Sequence, residues 1–294
     1  MRNADVLIRS GRRSGDAGLA LIRASVVMAA AGMALLFLMV VAFALPAFVQ
    51  GGGGGPFSGS WAPGKGEFGI LPMVVGSLVL GVSAAVPGWM IGVCLCCWLL
   101  SPPRAGHVCL WRFAVGALVR VMTAVPTVVY GFAAVFLLAP FIRTGLGGSG
   151  FSWLTAAFML AVLILPTVVL VLQAGLGPRL ETVALPGAAA GLSRLELLWY
   201  VVLPSSHSTL MSAAVLGFGR AVGDTMLPLM LAGNAPVMPE SLLSGLRTLT
   251  SHMALVTSNE VGGAAYDSLF TAGLLLLVIN GLVSFAVRRM GVRA

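Results

Sequence analysis

An all-α polytopic membrane protein with six transmembrane helices is the fold class this sequence predicts, and three observations predict it. Of its 294 residues, 59% are hydrophobic and only 9% are charged, against about 25% charged in a soluble domain. Several apolar runs reach the ~20 residues that a helix needs to cross a bilayer. These runs are continuous rather than alternating, which argues against a β-barrel.

The formal net charge of +8 is placed where a membrane protein needs it. Arg2, Arg9, Arg12, Arg13 and Arg23 precede the first apolar run, and Arg288, Arg289 and Arg293 follow the last. That asymmetry predicts two cytoplasmic termini under the positive-inside rule. A basic arm for nucleic acid would carry similar charges. Flanking of the spans accounts for them more simply, so no nucleic-acid partner is expected.

Along the chain, residues 1–23 form a basic segment, expected to be disordered or to lie at the membrane surface. Residues 24–49 form the first span, with an A-x-A site at Ala42 to Ala44. Its apolar run exceeds the 7–15 residues of a cleavable signal core, so an uncleaved signal anchor is expected. Residues 50–69, rich in glycine, read as a flexible external loop. The second span, 70–100, stops at Ser101, Pro102 and Pro103. A short basic connection with Arg104, His107 and Arg112 is then cytoplasmic. The third span, 113–142, contains Pro126 and Gly131, read as a packed kink in preference to a hinge. A glycine-rich external turn leads to the fourth span, 153–173.

By parity, the polar stretch 174–204 returns to the cytoplasm, carrying Arg179, Glu181, Arg194 and Glu196. The fifth span covers 205–231, an external loop 232–265, and the sixth span 266–287, before the cytoplasmic tail 288–294. Residues 70–287 thus form one five-helix core behind the first span, with no clear internal repeat.

Enzyme signatures are missing from the sequence. It has no G-x-x-x-x-G-K-[ST] phosphate loop, no H-E-x-x-H and no G-x-S-x-G. His107, His207 and His252 are scattered and read as solvated or interfacial side chains. Cys94, Cys96, Cys97 and Cys109 cluster near one span end, with no carboxylate nearby and only His107 close. They read as small packing residues with inert thiols rather than as a metal site. No metal and no cofactor are expected.

Two stretches carry more information. In 186–204, Pro186 is suited to start a helix and Gly191 to break one. Leu195, Leu198 or Trp199, and Val202 then recur at helical spacing and describe a short amphipathic helix. Periodicity does not choose between a helix resting on lipid and one inserted into a partner's groove.

In the fifth span, Arg220 and Asp224 stand four residues apart and are expected on one helix face. A charge at mid-membrane costs roughly 2.5–3.5 kcal/mol on insertion scales, and an intrahelical pair returns only ~0.3–0.5 kcal/mol. A face turned toward a polar passage is the more economical reading. A guanidinium fork suits the oxygens of an oxyanion. A carboxylate accepts a hydrogen bond from a protonated oxyanion and repels a fully deprotonated one.

The run G-A-A-A-G-L-S-R-L-E-L-L-W-Y-V-V-L-P resembles the cytoplasmic loop of permeases in type I ABC importers, with Gly191, Leu203 and Pro204 at the family spacing. Three further pieces are similar to the PstC-type permease subunit of phosphate importers. They are W-A-P-x-x-x-x-F-G-I-L-P at 61–72, A-V-P-T-V-V-Y-G-F at 124–132, and L-G-F-G-R-A-V-G-D-T-M-L-P-L-M-L-A-G-N followed by S-L-L-S-G-L-R-T-L-T-S-H-M-A-L. The match covers about residues 57–290, in order. Leu185 stands where the loop motif has Glu, Pro186 and Gly187 replace its Ala pair, Asp224 replaces Glu, and Arg120 stands where relatives often carry Glu.

The resemblance implies the architecture of a type I ABC importer permease and a role as half of a phosphate path. It implies a coupling loop to the ATPase built from Ala190, Gly191, Leu192, Arg194, Leu195, Leu198, Trp199, Leu203 and Pro204. The solute path would use Arg220, Asp224 and Thr225, while Arg120 either adds a second positive charge or snorkels to the interface. Implied partners are a homologous PstA-like permease, a cytoplasmic ATP-binding cassette ATPase dimer, an extracytoplasmic phosphate-binding protein, phosphate itself and membrane lipids. ATP hydrolysis would come from the partner. A permease for molybdate, sulfate or phosphonate is the nearest alternative; a stand-alone channel or a phosphate-signalling scaffold is a more distant one.

Overall fold

The computed structural model describes residues 2–49, 57–101, 107–259 and 263–291. The glycine run 51–55, Arg104, Glu260 and Arg293 fall outside these, as do the side chains of His107 and Cys109. The long helices are α1 (Arg2–Val49), α2 (Leu71–Leu100), α3 (His107–Ala124), α6 (Trp153–Ala189), α9 (His207–Gly223) and α12 (Ala264–Gly291). Between them lie α4 (Thr127–Ala133), α5 (Ala139–Leu146), α7 (Arg194–Glu196), α8 (Leu203–Ser205), α10 (Met226–Leu231) and α11 (Leu249–Asn259). Among the described residues, five helical stretches are long and apolar enough to cross a membrane: Gly18–Pro46, Leu71–Leu100, Thr127–Leu146, Trp153–Ala189 and Ala265–Arg289. A sixth is the pair Arg194–Ser205 and His207–Gly223, bent by 74°. The first helix begins at Arg2, so the basic leader is helical where disorder was one expectation.

α2, α6 and α9 pack side by side as the centre of the molecule. Small residues permit the close approach, as is usual where helices lack a hydrophobic drive to associate. A Cβ on Gly88 would meet the Ile164 side chain at 2.8 Å, and one on Gly92 would meet Val168 at 2.6 Å. The core here holds Leu80, Ala84, Leu160, Ile164, Ala221, Leu227 and Leu231, all buried. α12 covers α9, and α1 leans on α12, with Phe43 stacked on Phe270 at 4.9 Å. Most of α1 is exposed apolar surface, which only lipid or another membrane protein can cover.

Three spans differ from the sequence reading, each for a local reason. The third is interrupted, not merely kinked: Pro126 is extended (φ −60°, ψ 141°), α3 ends at Ala124, and the span proper is Thr127–Leu146. Proline has no N–H to give the Met122 carbonyl four residues back, and the Tyr130 hydroxyl donates to that carbonyl instead at 2.8 Å. The fourth helix runs on to Ala189, well past residue 174, carrying Pro166, Pro178 and Pro186 within it. Pro186 therefore lies in its last turn and starts nothing. The fifth breaks after Gly223 and resumes as α10.

The two stretches read as external loops are also more ordered than expected. In the loop 50–69, Trp61–Ala62 (β1) pairs antiparallel with Glu67–Phe68 (β2) in the register Trp61↔Phe68 and Ala62↔Glu67. The stretch 232–265 contains α11, which packs on α12 and α2. His252 on α11 is fully buried, not solvated. Trp61 meets its ring edge-on at 4.5 Å, and its Nε2 lies 3.1 Å from the Ser268 hydroxyl of α12.

His252 lies outside the crossing helices, and burial, followed by the charge of Arg247, pushes its imidazole down to about 4. The folded protein therefore holds fewer protons than the unfolded chain between the ordinary histidine value and about 4. Stability falls as pH drops through that window and levels off below it. Wild-type protein in detergent is expected to lose thermal stability from pH 6.5 to pH 4.5, and His252→Gln is expected to flatten that slope. Parallel melting curves for both proteins across this range would overturn the assignment.

Candidate functional site

The break in the fifth span is built by its own residues. Helix α9 ends at Gly223, and Asp224 takes an extended conformation (φ −74°, ψ 134°). Its Oδ2 accepts the backbone N–H of Leu227 at 2.9 Å and so caps α10, a carboxylate at the positive end of a helix. Oδ1 makes no hydrogen bond to another described residue and is not among the sealed, unpartnered atoms. One carboxylate oxygen is thus engaged and the other is open.

Arg220 and Asp224 do not share one helix face, because the helix stops between them. No ion pair joins them among the described residues, where Arg194 with Glu181 is the sole pair. Arg220 is exposed on α9, on the stripe that also exposes Leu216 and Gly223 and away from the buried Ala213, Gly217 and Ala221. It still lies near enough to act electrostatically on Asp224 and Tyr130. Thr225 is half-buried at the start of α10 and makes no side-chain hydrogen bond among the described residues; its carbonyl accepts Leu229 N–H at 3.1 Å. Arg120 sits exposed on α3, and no hydrogen bond or ion pair brings it to Arg220 or Asp224.

Sequence reasoning noted the run S-L-L-S-G-L-R-T-L-T-S-H-M-A-L only for its resemblance and missed that it holds this break in place. The Thr250 hydroxyl donates to the Asp224 carbonyl at 2.9 Å. Arg247 Nε donates to the Asn234 carbonyl at 3.0 Å, just beyond the other end of α10. Asn234 adopts a left-handed conformation (φ 51°) and its Nδ2 donates to Leu229 O at 2.7 Å. The same segment bonds α2 through Leu249 N–H to Ser77 Oγ at 2.7 Å. Just before it, the Ser244 and Leu242 carbonyls accept the N–H groups of Trp153 and Leu154 at the start of α6. The signal was present only as that resemblance and as hydroxyl residues beside Arg247 without a clear period.

The region expected to face the ATPase is a hinge-like corner. α6 ends in a Schellman turn, in which Leu192 N–H bonds Gly187 O and Gly191 N–H bonds Ala188 O, with Gly191 left-handed at φ 79°. Ala190 is the capping residue. Ser193 then opens the next helix with a capping box: its hydroxyl accepts Glu196 N–H at 3.3 Å, and Glu196 Oε2 accepts Ser193 N–H at 2.8 Å. Arg194 pairs with Glu181 of α6, and Arg179 donates to Ser205 O at 2.9 Å, so two arginines tie the corner to α6.

The predicted apolar face is divided. Leu197, Leu198, Val202 and Leu203 are buried against Leu176, Leu180, Cys96 and Cys97, whereas Leu192, Leu195, Trp199 and Tyr200 are exposed and Pro204 is exposed behind them. A π-helical stretch at Leu197–Val202 inserts extra residues per turn, so a 3.6-residue period misassigns this face. Cys96 and Cys97 pack in the core while Cys94 is exposed, and no group of three or more His, Cys, Asp or Glu gathers among the described residues.

Comparison with known proteins places this geometry. Residues 105–293 match the family described as binding-protein-dependent transport system inner membrane component. A probable ABC transporter permease, YqgH of Bacillus subtilis, is 28% identical over 239 residues, covering 80% of this chain and 76% of its own. The phosphate transport system permease PstC of Mesorhizobium japonicum is 27% identical over 257 residues (80% and 77%), and that of Pasteurella multocida 28% over 249 residues (76% and 74%). A chain of the inward-facing MetNI methionine ABC transporter superposes with a TM-score of 0.59 at 19% identity, covering 79% of this chain and 97% of that one. The overall fold is therefore that of a known permease architecture. The chain is a multi-pass inner-membrane protein and belongs to the family of binding-protein-dependent ABC transporter permeases.

Proposed function

We propose that this chain carries inorganic phosphate inward as one half of an ATP-driven translocation path. The observation that supports it best is the open pair at the broken span: a guanidinium without a counter-ion among the described residues and a carboxylate with one free oxygen. Arg220 attracts the anion with a fork matched to two phosphate oxygens. Asp224 accepts a hydrogen bond from protonated phosphate and disfavours a fully deprotonated sulfate. The PstC relatives support the same solute.

A homologous PstA-like permease supplies the other half of the path, two cytoplasmic ATPases the energy, and an extracytoplasmic binding protein the phosphate. The exposed Leu192, Leu195, Trp199 and Tyr200 offer the ATPases an apolar surface on a corner fixed by Arg179 and Arg194. In this reading the corner and both termini lie on the cytoplasmic side.

The test is reconstitution with both permeases, the ATPases and the binding protein in liposomes. Phosphate should stimulate ATP hydrolysis and accumulate, and excess molybdate, sulfate or phosphonate should compete poorly. Stimulation by one of those anions instead would reassign the solute. Phosphate flux with the ATPases left out would make the chain a channel.

A further inference from the structure

The broken span poses a problem that its own residues solve only in part. Where α9 stops inside an apolar layer, backbone groups lose their helical partners, and each one left bare is costly there. Asp224 caps the N–H of Leu227 with its side chain. Its own carbonyl is served from outside, by the hydroxyl of Thr250 at 2.9 Å. Thr250 is buried on α11, and its hydroxyl lies 3.0 Å from that of Thr248, which in turn exchanges bonds with Ser251. Three residues before Thr250, Arg247 holds Asn234 at the opposite end of α10. One short segment thus grips the six-residue α10 at both ends, while Ser77 anchors that segment to α2.

We propose that Thr250 is a positioning residue for the solute path: by fixing the backbone carbonyl of Asp224, it sets the direction in which the Asp224 carboxylate points. The inference rests on the reading of Asp224 as a path residue and assigns the group that orients it. With the carbonyl held by Thr250 and Oδ2 held by Leu227, the Asp224 side chain has both its root and one of its oxygens pinned. Oδ1 is the atom left to meet a protonated oxyanion. Release of the carbonyl would let the residue rotate about its backbone and withdraw that oxygen from the passage.

The experiment uses the complete transporter in liposomes, with phosphate uptake measured from pH 6 to pH 8 at matched protein level. Thr250→Val, which keeps the shape and loses the donor, is expected to raise KM roughly two- to tenfold, the worth of one hydrogen bond, and to shift the pH profile in the same direction as Asp224→Asn. Thr250→Ser, which keeps the donor, is expected to stay within about twofold of wild type. The double variant Thr250→Val with Asp224→Asn should be no worse than Asp224→Asn alone, since the two act through one group.

Additive losses, or a Thr250→Ser variant as impaired as Thr250→Val, would mean that Thr250 only packs. If Thr250→Val does not accumulate, Thr250→Cys, a weaker donor of similar size, replaces it and should fall between wild type and the Asp224→Asn level. Wild-type KM and pH profile in that variant overturn the proposal. If Asp224→Asn lowers uptake and Thr250→Val leaves it unchanged, the positioning role alone fails. If Asp224→Asn itself changes nothing, the path reading of Asp224 fails and the positioning role falls with it.

Discussion

Replacement of Arg220 by Gln should reduce phosphate uptake by at least about tenfold, while the protein remains at least as stable as wild type. The magnitude comes from a hydrogen bond to a charged group, worth about 1.5–3 kcal/mol, at roughly tenfold per 1.4 kcal/mol. The sign of the stability effect is the more telling part. Arg220 has no counter-ion among the described residues and sits on an exposed face of α9, between Leu216 and Gly223. A charge without a contact ion pair there opposes insertion by roughly 2.5–3.5 kcal/mol, more than a longer-range attraction to Asp224 returns, so its removal relieves the fold. A residue that loses function and gains stability when neutralised is kept for its solute. Arg220→Lys should recover only part of the activity, because an ammonium is a point charge without the planar fork. The measurement is labelled-phosphate uptake beside a melting curve in detergent. Unchanged uptake in both Arg220→Gln and Asp224→Asn would remove these residues from the path.

The sequence made some of this architecture legible, and the physical limits of that reading are specific. Long apolar runs such as 70–100 can hardly be anything but spans, and α2 (Leu71–Leu100) tracks that run almost residue for residue. Proline was a poor guide in both directions. Pro126 interrupts a span because its neighbour Tyr130 can serve the abandoned Met122 carbonyl, whereas Pro166, Pro178 and Pro186 sit inside one continuous helix. Each proline removes one helical hydrogen bond, yet only Pro126 ends a helix here, and a one-dimensional rule does not contain that difference.

The break at Asp224 was invisible for a related reason. Nothing in G-R-A-V-G-D-T forbids a helix, and the interruption depends on a cap from within and a hydroxyl from 26 residues away. Arg220 and Asp224 stood out as charges in an apolar run, but their relation assumed an unbroken helix. The corner around Gly191 was readable from its glycine, whereas the capping box from Ser193 to Glu196 went unread. Which leucines the corner buries was not legible either, because the π-helical stretch changes the period. His252 lay in a stretch with no span signal, and its burial depends on distant partners, Ser268 of α12 and Trp61, the latter nearly two hundred positions earlier in the chain.

Gly76→Ala tests whether the grip on the broken span is rigid. Gly76 lies in α2, where alanine would ordinarily favour the helix by ~1 kcal/mol. Here the added Cβ would sit 2.4 Å from the Arg247 carbonyl oxygen and 3.3 Å from its carbonyl carbon. The obstacle is backbone and cannot swing aside as a side-chain tip can, so either α2 or the segment 247–250 must move. Overpacking of this kind costs typically ~1–3 kcal/mol, which already offsets the propensity gain. Displacement would also strain the bond from Leu249 N–H to Ser77 Oγ, one residue along α2, and through Thr250 the bond to Asp224. The expected result is a lower melting temperature together with a loss of uptake larger than that of Thr250→Val. Gly76→Val should be more severe, since a branched side chain fills the same space. By contrast, Gly177→Ala, where a Cβ on α6 meets nothing within 4 Å, should leave uptake unchanged and raise the melting temperature slightly, because only the propensity gain remains. If Gly76→Ala instead stabilises the protein and transports normally, α2 and the segment are free to part. The Asp224 break would then be held by α10 alone.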